Sequence, residues 1–283
     1  MPPPWALLTR DSLHTAAPLY TALLSSTGRV LYDAFLHPLE GAPGAPPRLL
    51  ADVCSASAQA LRDHLLRFRL RAAVSVEDAT TEWRVWTRFG ESPSDAEPPV
   101  CGDSHWRGDP RGVPALGHRA LLPAAAAAAS PASPDAHTAA HRQHRLRCGV
   151  AEGAAELGGE LPLELNLDLL HAVSFTKGCY VGQELTSRTH FRGVIRKRAM
   201  PFSLLGGAQP HQVQRGEDVL DENGLAVGRV LAVQGGAGVA LMRLASALRV
   251  TEGGFRSASG ALLQLHRPDW WPPELAAAAE SAS

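Results

Sequence analysis

The first ninety residues pattern as short strands around one amphipathic helix. Leu19 to Leu36 reads as a strand or helix end, a turn at Ser25-Ser26-Thr27-Gly28, and an apolar-rich strand from Val30 onward. Arg48 to Leu70 reads as helical, with Ala51-Asp52-Val53 leading into a face of Leu61, Leu65, Leu66 and Phe68. Thr81 to Phe89 alternates, which predicts a strand with Trp83, Val85 and Thr87 on one side. A helix between strand pairs points to an α+β region of split β-α-β type. Glu91 to Pro99 is a loop by its Pro, Ser and acidic content. Pro123 to Ala136 joins an alanine run to Ser-Pro repeats and reads as a flexible excursion. His137 to Leu146 is helical and leads to the glycine-bearing stretch Gly149 to Gly159.

Leu161 to Thr176 is an apolar-rich approach with a carboxylate inside it. If it is a strand with Leu163, Leu165 and Leu167 on one face, Glu164 and Asn166 share the other, where a ligand or water must be. Gln183 to Thr189 is compatible with helix, with Val181 and Leu185 spaced for one face. After Pro201 short apolar strands alternate with turns such as Asp221-Glu222-Asn223-Gly224, which predicts a small antiparallel barrel or sandwich. The expected division is an α+β region over 1–120, a second region over 121–200, a barrel over 201–272 and a disordered tail over 273–283.

At 283 residues the chain has room for two or three cores, and a formal charge of -1 offers no strong pull toward nucleic acid or membrane. No apolar run reaches the length of a membrane span, Met1-Pro2-Pro3-Pro4 begins no secretory signal, and no organellar transit peptide is expected. The cysteines Cys54, Cys101, Cys148 and Cys179 form no C-x-x-C pair, which argues against a zinc knuckle, a dithiol or a self-contained cluster site. His137, His141 and His144 fall on one helical face but lack a completing ligand, so they read as a solvated polar face. Gly235-Gly236-Ala237-Gly238 reads as a hairpin turn, and Trp270-Trp271 as a staple for the C-terminal tail.

The candidate chemistry centres on Lys177-Gly178-Cys179-Tyr180-Val181-Gly182-Gln183-Glu184. A thiol between two glycines, after one of only two lysines and at the apparent entrance to a helix, is expected to be exposed and to favour the thiolate. The thiolate is the form that attacks electrophiles or ligates iron.

That octapeptide resembles the signature of the folate-binding iron–sulfur cluster maturation factors, relatives of the glycine cleavage T-protein. Ser174-Phe175-Thr176, Leu185 to His190, Gly193 to Arg198 and Leu161 to Asp168 look like the same family. So do Gly28 to Asp33, Asp109-Pro110-Arg111, Leu116 to Arg119, Glu152-Gly153, and the mitochondrial-type ending Pro268-Asp269-Trp270-Trp271-Pro272. Two departures stand out. Only Met1 to Leu8 precede Thr9-Arg10-Asp11, and Arg10 replaces the usual asparagine.

The resemblance implies a T-protein-like α+β fold with a C-terminal barrel. It also implies a tetrahydrofolate site contacted by Asp33, Glu164 and Asn166, with Tyr32 and Trp83 as candidate stacking aromatics. Cys179, supported by Lys177, Gly178, Tyr180, Gly182, Gln183 and Glu184, would share a [2Fe–2S] cluster with an A-type carrier protein. The chain would be a monomer alone, bind no DNA, serve [4Fe–4S] target enzymes indirectly, and work in the mitochondrial matrix, a plastid being the alternative. The role expected is a non-enzymatic, or at most accessory, assembly factor. The competing class is a folate-dependent aminomethyl or one-carbon transferase, which needs Asp33 and not Cys179. A third is a folate-binding module whose thiol senses oxidation.

Overall fold

The computed structural model describes residues 7–10, 17–39, 47–90, 106–127, 134–206, 212–248 and 254–275. Cys101, Asp11, the Glu91–Pro99 loop and the tail beyond Leu275 lie outside them. The chain divides into two compact units, the first of Met1–Ala132, Glu152–Pro162 and Leu167–Ser187, the second of Ser133–Ala151, Leu163–Asn166 and Arg188–Ser283.

The first unit begins with an antiparallel meander of β1 (Leu19–Leu24), β2 (Val30–Leu39) and β3 (Arg48–Asp52). β1 is apolar apart from Tyr20 and Thr21 and buried throughout. After a 3₁₀ turn at Ser55–Ser57, α1 (Ala58–Arg69) lays Leu61 and Leu65 against Leu23, Tyr32 and Leu7. The helix expected from Arg48 therefore starts ten residues late. β2 is ten residues long, and its second half pairs with Arg48–Asp52, from Phe35↔Asp52 to Leu39↔Arg48. Cross-strand pairing overrides the local periodicity of Leu49, Leu50 and Val53.

β4 (Trp83–Arg88), β5 (Arg107–Gly108) and β6 (His118–Pro123) form a second antiparallel sheet in the order β4-β6-β5. The helix thus links two three-stranded antiparallel sheets among the described residues, instead of crossing one sheet as a split β-α-β unit would. The alanine run after β6 forms a turn of helix, α2 (Ala124–Ala127), tied by the Ala124 N–H to the Glu82 carbonyl at 2.7 Å. α4 (Ala154–Leu157) is pinned to the start of β2, because Val30 and the Gly159–Glu160 backbone exchange hydrogen bonds of 2.9 Å.

The second unit is built on a closed barrel. Its strands are β7 (Lys197–Leu204), β8 (Asp218–Leu220), β9 (Ala226–Gln234), β10 (Ala237–Arg243), β11 (Phe255–Ser257) and β12 (Leu262–Leu265), in the order β10-β7-β12-β11-β8-β9. Met200, Phe202, Val219, Val230, Val239 and Leu263 are buried in it. Gly235 and Gly236, with φ of 56° and 82°, make the two-residue β9–β10 hairpin whose twist requires positive φ at both positions. α3 (Pro134–Arg147) packs on β9 and β10. Trp271 is buried and the Trp270 Nε1–H donates to the Cys148 carbonyl at 2.8 Å, so the tail is fastened behind α3. The short α6 (Leu244–Ala247) follows β10, and α5 (Gln183–Arg192) carries the chain from the first unit into the second. Among the described residues no helix is long and apolar enough to cross a membrane.

Leu163–Asn166 is not a strand; it lies in a run of turns. Asn166 takes a left-handed φ of 62° and is fully buried. Its Nδ2 donates to the Ala199 carbonyl at 2.8 Å and its Oδ1 accepts from Arg198 Nη1 at 3.1 Å, while the Ala199 N–H donates to the Glu164 carbonyl at 2.7 Å. Asparagine tolerates the left-handed region better than alanine. Asn166→Ala is expected to destabilise the protein by about 2–4 kcal/mol, from a lost buried amide and a strained φ, read as a lowered denaturant midpoint.

Candidate functional site

Asp33 occupies the middle of β2, where strand alternation turns it to the face opposite Tyr32. Tyr32 instead packs with Leu23 and Leu61, and its ring meets His64 edge-on at 5.9 Å. Asp33 is buried. The Tyr20 hydroxyl donates to its Oδ2 at 2.9 Å, and the Gly153 N–H donates to both oxygens at 3.0 and 3.1 Å. Burial pushes the carboxyl up to about 6, with the like charge of Glu152 adding to the rise; the Gly153 and Tyr20 hydrogen bonds and Arg111 oppose it.

Two arginines bind the surrounding carboxylates. Arg111 has no exposed surface; its Nε and Nη2 clasp Asp109 at 2.8 Å each, and its Nη1 donates to Glu152 at 2.7 Å. Arg119 donates to Asp52 at 2.5 Å and to Glu152 at 3.2 Å, with its guanidinium 3.7 Å from the centre of the Phe35 ring. Burial raises the Asp52 carboxyl; for Asp109 burial acts in the same direction but Arg111 outweighs it and holds the group low. His37, further along β2, is pushed down to about 4 by burial and by the charge of Arg119, so it is neutral at physiological pH. Four carboxylates thus face two arginines, and Asp33 is the one with no arginine hydrogen-bonded to it among the described residues. Asp33, Phe35, Asp52, Val53, Cys54 and Glu152 line a cavity of ≈ 50 Å³, room for about one or two waters or a small polar group. A carboxyl near 6 on such a cavity can hold or release a proton around neutral pH.

The signature loop is anchored at both ends. The Lys177 ammonium donates to the Leu8 carbonyl at 2.7 Å and stands 5.5 Å from the centre of the Tyr180 ring. Tyr180 is buried, and its N–H donates to Gln183 Oε1 at 3.2 Å. Gly182, at φ 79°, backs onto β1: a Cβ there would lie 2.4 Å from the Ser25 carbonyl oxygen and 2.8 Å from the Leu24 Cβ. Gly178, Cys179 and Glu184 are exposed, and a Cβ on Gly178 would meet nothing within 4 Å. Cys179 stands just before the turn that opens α5, where the Gln183 N–H donates to the Tyr180 carbonyl at 3.2 Å and Gln183 Oε1 accepts from the Tyr180 N–H, the reciprocal pattern of a helix cap.

The same fold class appears among known proteins. An aminomethyltransferase T of the glycine cleavage system from Bartonella henselae, seen in a crystal structure, is similar with a TM-score of 0.60 over 95% of this chain and 80% of that one; at 14% identity this shows the fold. Residues 196–273 match the family described as CAF17, C-terminal beta-barrel domain. The human mitochondrial iron–sulfur cluster assembly factor IBA57 is 37% identical over 271 residues, 89% of this chain and 72% of the relative. The chain belongs to the IBA57 family. The mouse IBA57 protein is 34% identical over 91% of this chain and 74% of its own length. Like these relatives, the chain is mitochondrial.

Of the residues that the resemblance assigned to folate, Asp33 faces a cavity in the first unit. The Asn166 amide is bonded to Ala199 and Arg198 in the second unit. Glu164, half-buried, also belongs to the second unit. Trp83 starts β4, in the other sheet of the first unit, opposite Pro123. Sequence reasoning assigned no role to Tyr20, Asp52, Cys54, Glu152, Arg111 or Arg119. Asp109-Pro110-Arg111, Arg119 and Glu152-Gly153 had drawn notice only as landmarks, and the signal for Asp52 is its pairing with Phe35, which the helical reading of Arg48 hid.

The folded pKa of Asp33 lies above its unfolded value, so the native state binds the extra proton between about pH 4 and 6, and stability from this group falls as pH rises through that window. His37, with a lowered folded pKa, acts oppositely by losing stability as pH falls, so the wild-type profile alone mixes the two. The difference between Asp33→Asn and wild type removes that overlap. It should move in favour of the variant from about pH 4 to 6 and then level off, as followed by denaturant unfolding.

The two glycines beside the thiol should differ sharply. Gly182→Ala is expected to lower stability by about 2 kcal/mol or more and Gly178→Ala to stay within about 0.5 kcal/mol of wild type, by the same unfolding measurement.

Proposed function

We propose that this iron–sulfur cluster assembly factor presents Cys179 as one ligand of a [2Fe–2S] cluster shared with an A-type carrier protein, in the maturation of [4Fe–4S] proteins. The observation that carries the reading is an exposed, unbridged thiol on a loop whose flanks are fixed: Lys177 to Leu8 on one side, Tyr180 and Gly182 to the first unit on the other. A soft thiolate suits iron–sulfur ligation, and a fixed loop lowers the entropy lost when the ligand engages. Among the described residues no group of three His, Cys, Asp or Glu side chains is placed to hold a metal ion; in the proposed arrangement the carrier supplies the other ligands.

Tetrahydrofolate has one good contact in this reading. Asp33 keeps acceptor capacity beyond Tyr20 and Gly153, but the ≈ 50 Å³ cavity takes only a polar edge of a ligand and not a bicyclic ring. The raised Asp33 pKa favours, as a second reading, a folate-dependent one-carbon transferase in which that carboxyl handles a proton.

The deciding experiment mixes the protein with its A-type carrier, iron and sulfide without oxygen and follows cluster absorbance through size-exclusion chromatography. The coloured heterocomplex should form with wild type and disappear with Cys179→Ser. A serine variant that holds the cluster equally well removes Cys179 from the ligand set and moves the transferase reading ahead.

A further inference from the structure

The face of α3 that carries His137, His141 and His144 runs on to Cys148, because positions 137, 141, 144 and 148 keep the spacing of one helical stripe. The histidines alone make a polar stripe; the structure adds a thiol at its end. Cys148 is not disulfide-bonded, and both it and His144 are half-buried. Cys148 Sγ lies 3.8 Å from His144 Nε2. The Cys148 N–H donates to the His144 carbonyl at 3.1 Å, so the helical backbone pattern carries through to the thiol, one turn beyond the imidazole. Both residues belong to the second unit, within Ser133–Ala151.

A thiol is a weak hydrogen-bond donor, and the same separation suits a shared metal ion. An ion about 2.3 Å from sulfur and about 2.0–2.1 Å from nitrogen, at a near-tetrahedral angle, holds the two atoms about 3.6 Å apart. The pair would have to close by only about 0.2 Å. Because the two side chains already meet on one helix, little rotamer freedom is lost when they engage an ion. The last turn of a helix also carries the negative end of its dipole, which favours a cation. Arg145 and Arg147 share that turn and oppose it, and the charge of the thiolate offsets them in part. We propose that His144 and Cys148 form a two-point chelate for a zinc-class transition-metal ion, with solvent completing the coordination. Thiolate with imidazole is a donor pair that zinc takes readily. Among the described residues no set of three His, Cys, Asp or Glu side chains surrounds one ion, which limits the protein's share to two ligands. On binding, the thiol gives its proton to solvent, and the sulfur and Nε2 each donate a lone pair, so no oxidant or reductant takes part. The ion clips the end of α3 where the Trp270 indole is fastened to the Cys148 carbonyl. The site uses no residue of the Cys179 loop and stands or falls without the shared-cluster reading.

The test titrates the reduced full chain with Co2+ without oxygen and then displaces the cobalt with Zn2+. A thiolate-to-cobalt charge-transfer band should appear in wild type and in Cys179→Ser and be absent from Cys148→Ser. His144→Ala should weaken zinc binding by at least about tenfold, the loss that even an outer-shell contact carries. His141→Ala should stay within about twofold of wild type, since the chelate has only two protein ligands. Excess zinc should raise the thermal midpoint of wild type and of Cys179→Ser and leave those of Cys148→Ser and His144→Ala unchanged. Alanine is well tolerated in a helix, so His144→Ala keeps the test decisive even where Cys148→Ser folds poorly. If Cys148→Ser keeps the band and the wild-type affinity, the ion lies elsewhere and the chelate is wrong. Loss of the band with Cys179→Ser instead assigns the ion to that thiol and overturns the pair. If His144→Ala binds like wild type, or wild type takes up neither ion, the two side chains share a hydrogen bond and nothing more.

Discussion

An arginine with no solvent exposure has to be neutralised where it lies, and Arg111 is in that position. Its guanidinium holds Asp109 through two parallel bonds and Glu152 through a third, and Arg119 then joins Glu152 to Asp52. These five residues arrive from β3, the segment between β5 and β6, β6 itself and the stretch ahead of α4, so the first unit depends on one charged lattice beside its apolar clusters. Removing one partner of such a buried pair costs about 3–5 kcal/mol, whereas the intact set need not exceed a well-packed apolar core. The lattice also fixes the surroundings of Asp33. With both arginines engaged by other carboxylates, Asp33 is left to Tyr20 and the Gly153 amide, and burial keeps its affinity for a proton high.

The signature octapeptide divides its labour within eight residues. Lys177, Tyr180 and Gly182 face inward and hold the loop; Gly178, Cys179 and Glu184 face water. The exposure of the thiol therefore comes from what its neighbours are bound to. The helix that follows begins at once, its Gln183 bonded to the backbone of Tyr180, the residue after the thiol.

How much could be read in advance follows from the range of the forces involved. The barrel was legible because its strands alternate and its turns carry Gly and Asn, as at Gly235-Gly236. The exposure expected of Cys179 came from a short stretch of sequence. β3 was not legible, since Leu49 and Leu50 match a helical face until the far half of β2 is there to pair with them. The strand expected at Leu163–Leu167 failed for a related reason: the alternation imitates one, while the chain there forms turns in which Asn166 bonds to Ala199 and Arg198, more than thirty residues away. The Arg111 and Arg119 lattice joins residues 52, 109, 111, 119 and 152, and no local pattern encodes such a set.

The four residues Leu163–Asn166 belong to the barrel unit, while the stretches on either side of them belong to the other. The chain therefore weaves between the two bodies, and no single cleavage of the backbone can release both intact. A cut at any bond from 132 to 188 leaves at least one of them in two pieces, and a cut outside that range severs one directly. The barrel matched over 196–273 is accordingly not a detachable cassette: shuffled into another gene on its own, it would leave behind α3 and the Asn166 plug that complete it.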